Sequence, residues 1–212
     1  GKEASFTKEN DVFIIGEIPA GKSAVLVIEA KVKENTPVET EIKNTASVDY
    51  DNKPVDATIP SDDANLTVGG SALDVNKTRT SGSTAIVGDA QSGIITWDIV
   101  ITNNTGKDKK VTVKDILTNA AAQSAVVKDE AGKVISEGTQ VVVPAGQSVI
   151  LTASYEVQKE DAGKHITNKV EVTDSDNPAN SKEDTDEGTK VEAPDRTVTI
   201  EYVDDKESVL LK

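Results

Sequence analysis

Cysteine and methionine are both absent from the 212 residues, which excludes disulfides, thiol nucleophiles and thiolate metal sites. Histidine occurs once, as His165 beside the Gly163-Lys164 turn. One imidazole cannot build a histidine metal cluster, and a Ser-His-Asp triad would need it to sit in a cleft rather than at a turn. Aromatic residues make up only 3% of the chain, so no exposed aromatic platform for a ligand is evident. Positive charge is also scarce: 23 basic residues face 37 acidic ones, for a formal net charge of -14. Nucleic acid and anionic lipid are therefore poor electrostatic partners. No apolar run is long enough to cross a bilayer, and the first residues show neither a charged n-region nor an apolar h-region. With no glycine-rich phosphate loop either, conventional enzymatic turnover and a bound cofactor are not expected.

What is present is strict alternation. Ile166-Thr-Asn-Lys-Val-Glu-Val172 places Ile166, Asn168, Val170 and Val172 on one side of a strand. An asparagine is thus aimed into an aliphatic interior, where an amide is costly unless its donors and acceptors are matched. Two further strands each give one inward position to a polar group by the same count. Leu73, Val75 and Lys77 share a face, as do Val111, Val113 and Asp115. Taken alone, this trio is compatible with a buried salt bridge plus an amide hydrogen bond, with a lysine that snorkels to water, or with reaction between the groups.

The chain also repeats itself. Residues 11–48 contain Pro19-Ala20-Gly21, an apolar run Ala24–Val32 and Glu41-Ile-Lys-Asn-Thr-Ala-Ser-Val48. Residues 139–172 follow the same grammar with Pro144-Ala145-Gly146, Val149–Val157 and Ile166–Val172. The period is roughly 125 residues, the size of a domain rather than a solenoid unit. Asn44 then matches Asn168, while nothing early in the chain matches residues 73–128. Residues 1–70 are expected to be the C-terminal half of one β-sandwich repeat and residues 71–193 a complete one. Residues 194–212, with Thr197–Val203 alternating, begin a further β module. The chain thus reads as a piece of a longer protein.

Within the complete copy, short alternating runs bounded by turn residues predict an all-β, immunoglobulin-like sandwich. Strands are expected at 72–79, 93–103, 109–117, 124–128 with 133–135, 139–143, 148–157 and 165–173. Ile95, Trp97, Ile99 and Ile101 point inward and Asp98 outward; Thr118–Ser124 could form one helical turn. Residues 173–190 and 49–64 are acidic and read as loops leading to a last edge strand. Asp174, Asp176, Asp184 and Asp186 are weak calcium candidates, since that cation takes several hard oxygens at loop spacing, although no complete EF-hand loop is present. A solvated acidic loop explains them as well.

The series Val75-x-Lys77-Thr78, Gly88-Asp89, Ile95-Thr-Trp-Asp-Ile-Val-Ile-Thr-Asn103, Val111–Asp115, Pro144–Ser148 and Ile166-Thr-Asn168 resembles the conserved repeat domain of Gram-positive cell-surface proteins, related to the collagen-adhesin A-type domains. Residues 195–203 are weakly similar to the opening of a mucin-binding repeat. The resemblance implies an autocatalytic isopeptide bond between Lys77 and Asn168, with Asp115 as the assisting carboxyl group. Trp97 stands where the family usually has tyrosine. It further implies a structural stalk in an extracellular, cell-wall-anchored adhesin, with neighbouring repeats as partners. Direct binding of a host glycoprotein or matrix, and a calcium-stiffened linker, are the alternatives.

Overall fold

The computed structural model describes residues 7–9, 12–80, 93–193, 202–203 and 209–211. Residues 1–36 and 37–212 form two compact units. In the first unit β1 (Thr7–Glu9) and β2 (Val12–Ile14) pair antiparallel. The run Ala24–Val32, expected as a strand by its match to 149–157, is not one. Its Val25, Val27 and Ile28 side chains are exposed. A strand needs a neighbour for its ladder, and the partner of the later copy, residues 94–102, has no early counterpart.

The second unit begins with the antiparallel hairpin β3 (Glu41–Ser47) and β4 (Ser61–Thr67), in which Asn44 is exposed opposite Ala64. There follow β5 (Leu73–Arg79), β6 (Ile94–Asn103), β7 (Lys109–Thr118), β8 (Val126–Asp129), β9 (Gln140–Val143), β10 (Ser148–Glu156), β11 (His165–Asp174) and β12 (Lys182–Lys190). A short pair, β13 (Tyr202–Val203) and β14 (Val209–Leu211), closes the described chain. Gly88-Asp89 and most of residues 194–212 lie outside the described residues.

Strands β5 to β12 build two four-stranded antiparallel sheets, ordered β5-β6-β10-β8 and β12-β11-β7-β9. This is the all-β sandwich predicted by the alternation. Trp97, Ile95, Ile99, Ile101 and Leu151 from the first sheet meet Val111, Val143, Ile166, Val170 and Val172 from the second in a core that excludes solvent. The inward rows read from sequence are inward here, and Asp98 stays on the outer face. Thr118 ends β7 and residues 119–124 make bends, not a helical turn, with Asn119 at φ 63°.

The acidic stretch departs from its expectation. Residues 182–190 are a strand, not a loop, hydrogen-bonded along β11, and residues 61–64 likewise belong to β4. Alternation in β12 is carried by half-buried Asp184, Asp186 and Gly188 instead of apolar residues, so the usual signal is missing. Between Ile166–Asn168 and Asp186–Thr189 the register shifts by one residue, a bulge on β12. Gly188 occupies it at φ 108°, and a Cβ there would come within 2.8 Å of the Ile166 carbonyl oxygen, so only glycine fits.

Candidate functional site

Lys77 reaches the interior from the edge of the first sheet, and Asp115 from the middle of the second. Their side chains are 0% and 2% exposed, and Lys77 Nζ lies 2.8 Å from Asp115 Oδ2. The other carboxylate oxygen, Oδ1, accepts the Ala125 N–H at 2.7 Å, which fixes the carboxylate plane and turns Oδ2 toward the amine. Lys77 Nζ also sits 5.4 Å from the centroid of the Trp97 ring. Burial pushes the Lys77 amine below the ordinary lysine range, against the opposing pull of Asp115, Asp186 and Asp184. The lysine therefore does not snorkel to solvent.

Asn168 lies on β11 between β7 and β12. It pairs in register with Leu117 on one side and Asp186 on the other, while Val170 pairs with Asp115. Asp115 and Asn168 are thus diagonal neighbours on one inward face, within reach of long side chains, and β5 packs against β11 from the opposite sheet. Asn168 is fully buried, and neither its Nδ2 nor its Oδ1 has a hydrogen-bond partner among the described residues.

Asn103, the other fully buried asparagine among the described residues, gives the comparison. Its Nδ2 donates to the carbonyls of Val143 at 2.9 Å and Lys107 at 2.8 Å, and its Oδ1 accepts the Thr105 N–H at 2.9 Å and hydroxyl at 2.7 Å. The fold satisfies an amide completely where the amide only holds a turn. Leaving one orphaned costs about 1–3 kcal/mol per group, and the orphan lies in the interior that holds the Lys77–Asp115 pair.

The four calcium candidates are not brought together. Asp174 is fully buried and lies 3.1 Å from Lys109 Nζ, with Asn180 Nδ2 also at 3.1 Å and the Asp176 N–H capping its Oδ1 at 3.0 Å. Burial alone would raise its carboxyl, but these contacts, Asn180 foremost, hold it below the usual range. Asp184 Oδ2 accepts the backbone N–H of Lys77 at 2.6 Å, and Asp186 Oδ2 accepts Trp97 Nε1–H at 3.0 Å. No group of three or more His, Asp or Glu side chains among the described residues could hold a metal ion.

Sequence reasoning missed Ala125, Asp184 and Asp186 as neighbours of this site, and it treated Trp97 as packing alone. The spacing Asp184-Thr-Asp186 was the available signal: two carboxylates at period 2 on a strand share one face.

No family model matches this chain, and no curated protein does. Solved structures show distant likeness. A FixG-related protein from Vibrio parahaemolyticus is 14% identical with a TM-score of 0.40, over 54% of this chain and 93% of that one. A conjugative transposon lipoprotein from Bacteroides eggerthii is 11% identical with a TM-score of 0.33, over 55% of this chain and 95% of its own. A human ASH/PapD-like domain is 9% identical with a TM-score of 0.30, over 54% and 80% of the two chains.

Proposed function

We propose that residues 71–193 are a self-crosslinking repeat in which Lys77 Nζ becomes bonded to Asn168 Cγ, and that such repeats form the stalk of a cell-wall-anchored bacterial surface adhesin. The observation that carries the bond is the unpartnered, fully buried Asn168 amide in the same interior as a buried lysine–aspartate pair. The stalk and its location rest on the resemblance of the repeat and on the absence of features for turnover.

The chemistry balances within the chain. A proton passes from the Lys77 ammonium to Asp115 Oδ2 along their 2.8 Å hydrogen bond, leaving a neutral amine and a neutral acid, which suit a dry interior better than two ions. The amine lone pair attacks Asn168 Cγ while Asp115 hydrogen-bonds the carbonyl oxygen and polarises it. Asp115 then relays a proton to Nδ2, the Cγ–Nδ2 bond breaks, and ammonia leaves. Reactants are an amine and a primary amide; products are a secondary amide and ammonia. The protein is its own substrate and reacts once, so it is not an enzyme in the turnover sense.

The bond would join β5 to β11 and hence one sheet to the other. Tension entering at one strand and leaving at the other would pass through a covalent link without loading the ladder hydrogen bonds. Intact mass tests the proposal: the purified chain should be lighter than its calculated mass by one ammonia, and Lys77→Ala and Asp115→Ala should each restore the full mass. A wild-type chain of full mass rejects the bond.

A further inference from the structure

We propose that Asp184 and Asp186 of β12 are positioning residues for the crosslink, presenting Lys77 to Asn168 only once β12 has docked. This inference rests on the bond proposed above. Lys77 lies on an edge strand that, among the described residues, is laddered on one side alone, by β6. The Asp184 carboxylate holds it from the opposite sheet, accepting the Lys77 N–H at 2.6 Å. Asp184 pairs in register with Val170, which itself pairs with Asp115, so the backbone that carries the amine is tied to the strand row that carries the helper.

Asp186 acts one step along. It is the direct cross-strand partner of Asn168, and its carboxylate holds the buried Trp97 indole N–H at 3.0 Å, whose ring forms one wall beside Lys77 Nζ. A buried indole N–H needs a partner, and this one comes from the neighbour of the reacting amide. The bulge and Gly188 follow Asp186 at once, a placement that re-aims side chains beside reacting centres in other sheets. Asp115 from β7 and Asp184 and Asp186 from β12 are the charged groups that act on the Lys77 amine.

The test follows the fraction of full chain lacking one ammonia, by intact mass, at successive times after a pulse of expression. Asp184→Ala and Asp186→Ala should slow the loss roughly ten- to a hundredfold, the usual consequence of misplacing reacting groups. Glu183→Ala, on the same strand but paired outward with Lys169, should leave the rate unchanged. Asp186→Asn keeps an acceptor for the indole and removes a charge facing the amine, so it should react at near the wild-type rate with its pH profile moved to lower pH. In a Trp97→Phe background, Asp186→Ala should have little further effect, because the donor it serves is gone. Unfolding midpoints of the same variants in a Lys77→Ala background separate positioning from stability. Wild-type rates in both alanine variants, or slowing that merely tracks the fall in midpoint and persists undiminished with Trp97→Phe, overturn the inference while leaving the bond. A wild-type chain that keeps its ammonia overturns the bond itself.

Discussion

Replacing both members of the buried pair, as Lys77→Met/Asp115→Leu, separates a covalent from a non-covalent interior by the sign of the stability change. If Lys77 and Asp115 formed only the 2.8 Å ion pair, exchanging it for apolar groups of similar volume would be neutral or stabilising by about 1–4 kcal/mol. If Lys77 is bonded to Asn168, the same exchange also opens a closed loop of about ninety residues, worth roughly 4–5 kcal/mol in unfolded-state entropy. Where the apolar exchange is itself neutral, the net loss of about 4 kcal/mol, at a urea dependence near 2 kcal/mol/M, lowers the unfolding midpoint by about 2 M, and a stabilising exchange shortens that fall. The dependence itself should steepen, because an unfolded chain without the crosslink exposes more surface. Trp97 is the single tryptophan and is fully buried beside Lys77, so its fluorescence reports the transition directly. A double variant as stable as wild type, with an unchanged slope, would refute the reasoning.

Three further outcomes are expected. In chain not yet crosslinked, ammonia loss should hold level around neutral pH and fall in alkali below the ordinary lysine value of 10.5, since the step needs the one proton that Lys77 and Asp115 share and burial makes the Lys77 ammonium easier to deprotonate; a rate that climbs steadily with pH contradicts the shared proton. Asp161, fully buried, accepts the Tyr155 hydroxyl at 2.5 Å and the N–H groups of Ala121 at 2.7 Å and Gln158 at 2.8 Å. Asp161→Ala should cost about 3–5 kcal/mol in denaturant unfolding, and Tyr155→Phe about 1.5–3 kcal/mol. Tyr155 is pushed up to about 12 by burial and by Asp161. An unfolded tyrosine ionises first, so this contribution is complete below pH 10.0 and is lost as pH rises toward 12, which tyrosinate absorbance alongside unfolding would show. Asp174→Ala leaves Lys109, whose side chain is 9% exposed, with only the half-exposed Glu39 carboxylate as partner, and should cost about 1–3 kcal/mol. Because the Asp174 carboxyl is held below 3.8, its contribution stands above that pH and fades as acid titrates the folded group; a variant that loses stability equally at neutral pH and in strong acid contradicts this.

Period-2 alternation made the sandwich legible, and it did so even where the inward residue was polar. Lys77, Asp115 and Asn168 were found because each interrupts an otherwise aliphatic row, and all three are buried. The same rule failed on β12, where the half-buried positions are Asp184 and Asp186 and hydropathy describes a loop. Their partners are a backbone N–H and an indole N–H, which no pattern along one strand reveals, since both lie in the other sheet. Ala125 was invisible for a related reason: its main chain, not its side chain, meets Asp115. The run Ala24–Val32 misled in the opposite direction, because the pattern of a strand persists where its neighbour is missing.

The second unit carries one more ionic contact with a mechanical meaning. Val38 N–H bonds the Asn104 carbonyl at 2.9 Å, and Glu39 Oε2 meets Lys109 Nζ at 2.9 Å, with Asp174 on the lysine's other side. These contacts set the root of the β3–β4 hairpin against one end of the sandwich. Lys109 and Asp174 are sheltered from water while Glu39 is 42% exposed, and dissolved ions screen an exposed charge far more than a sheltered pair. Raising salt should therefore slacken the hairpin's side-chain tie while the lysine stays anchored to the sandwich and the Val38–Asn104 main-chain bond stays in place.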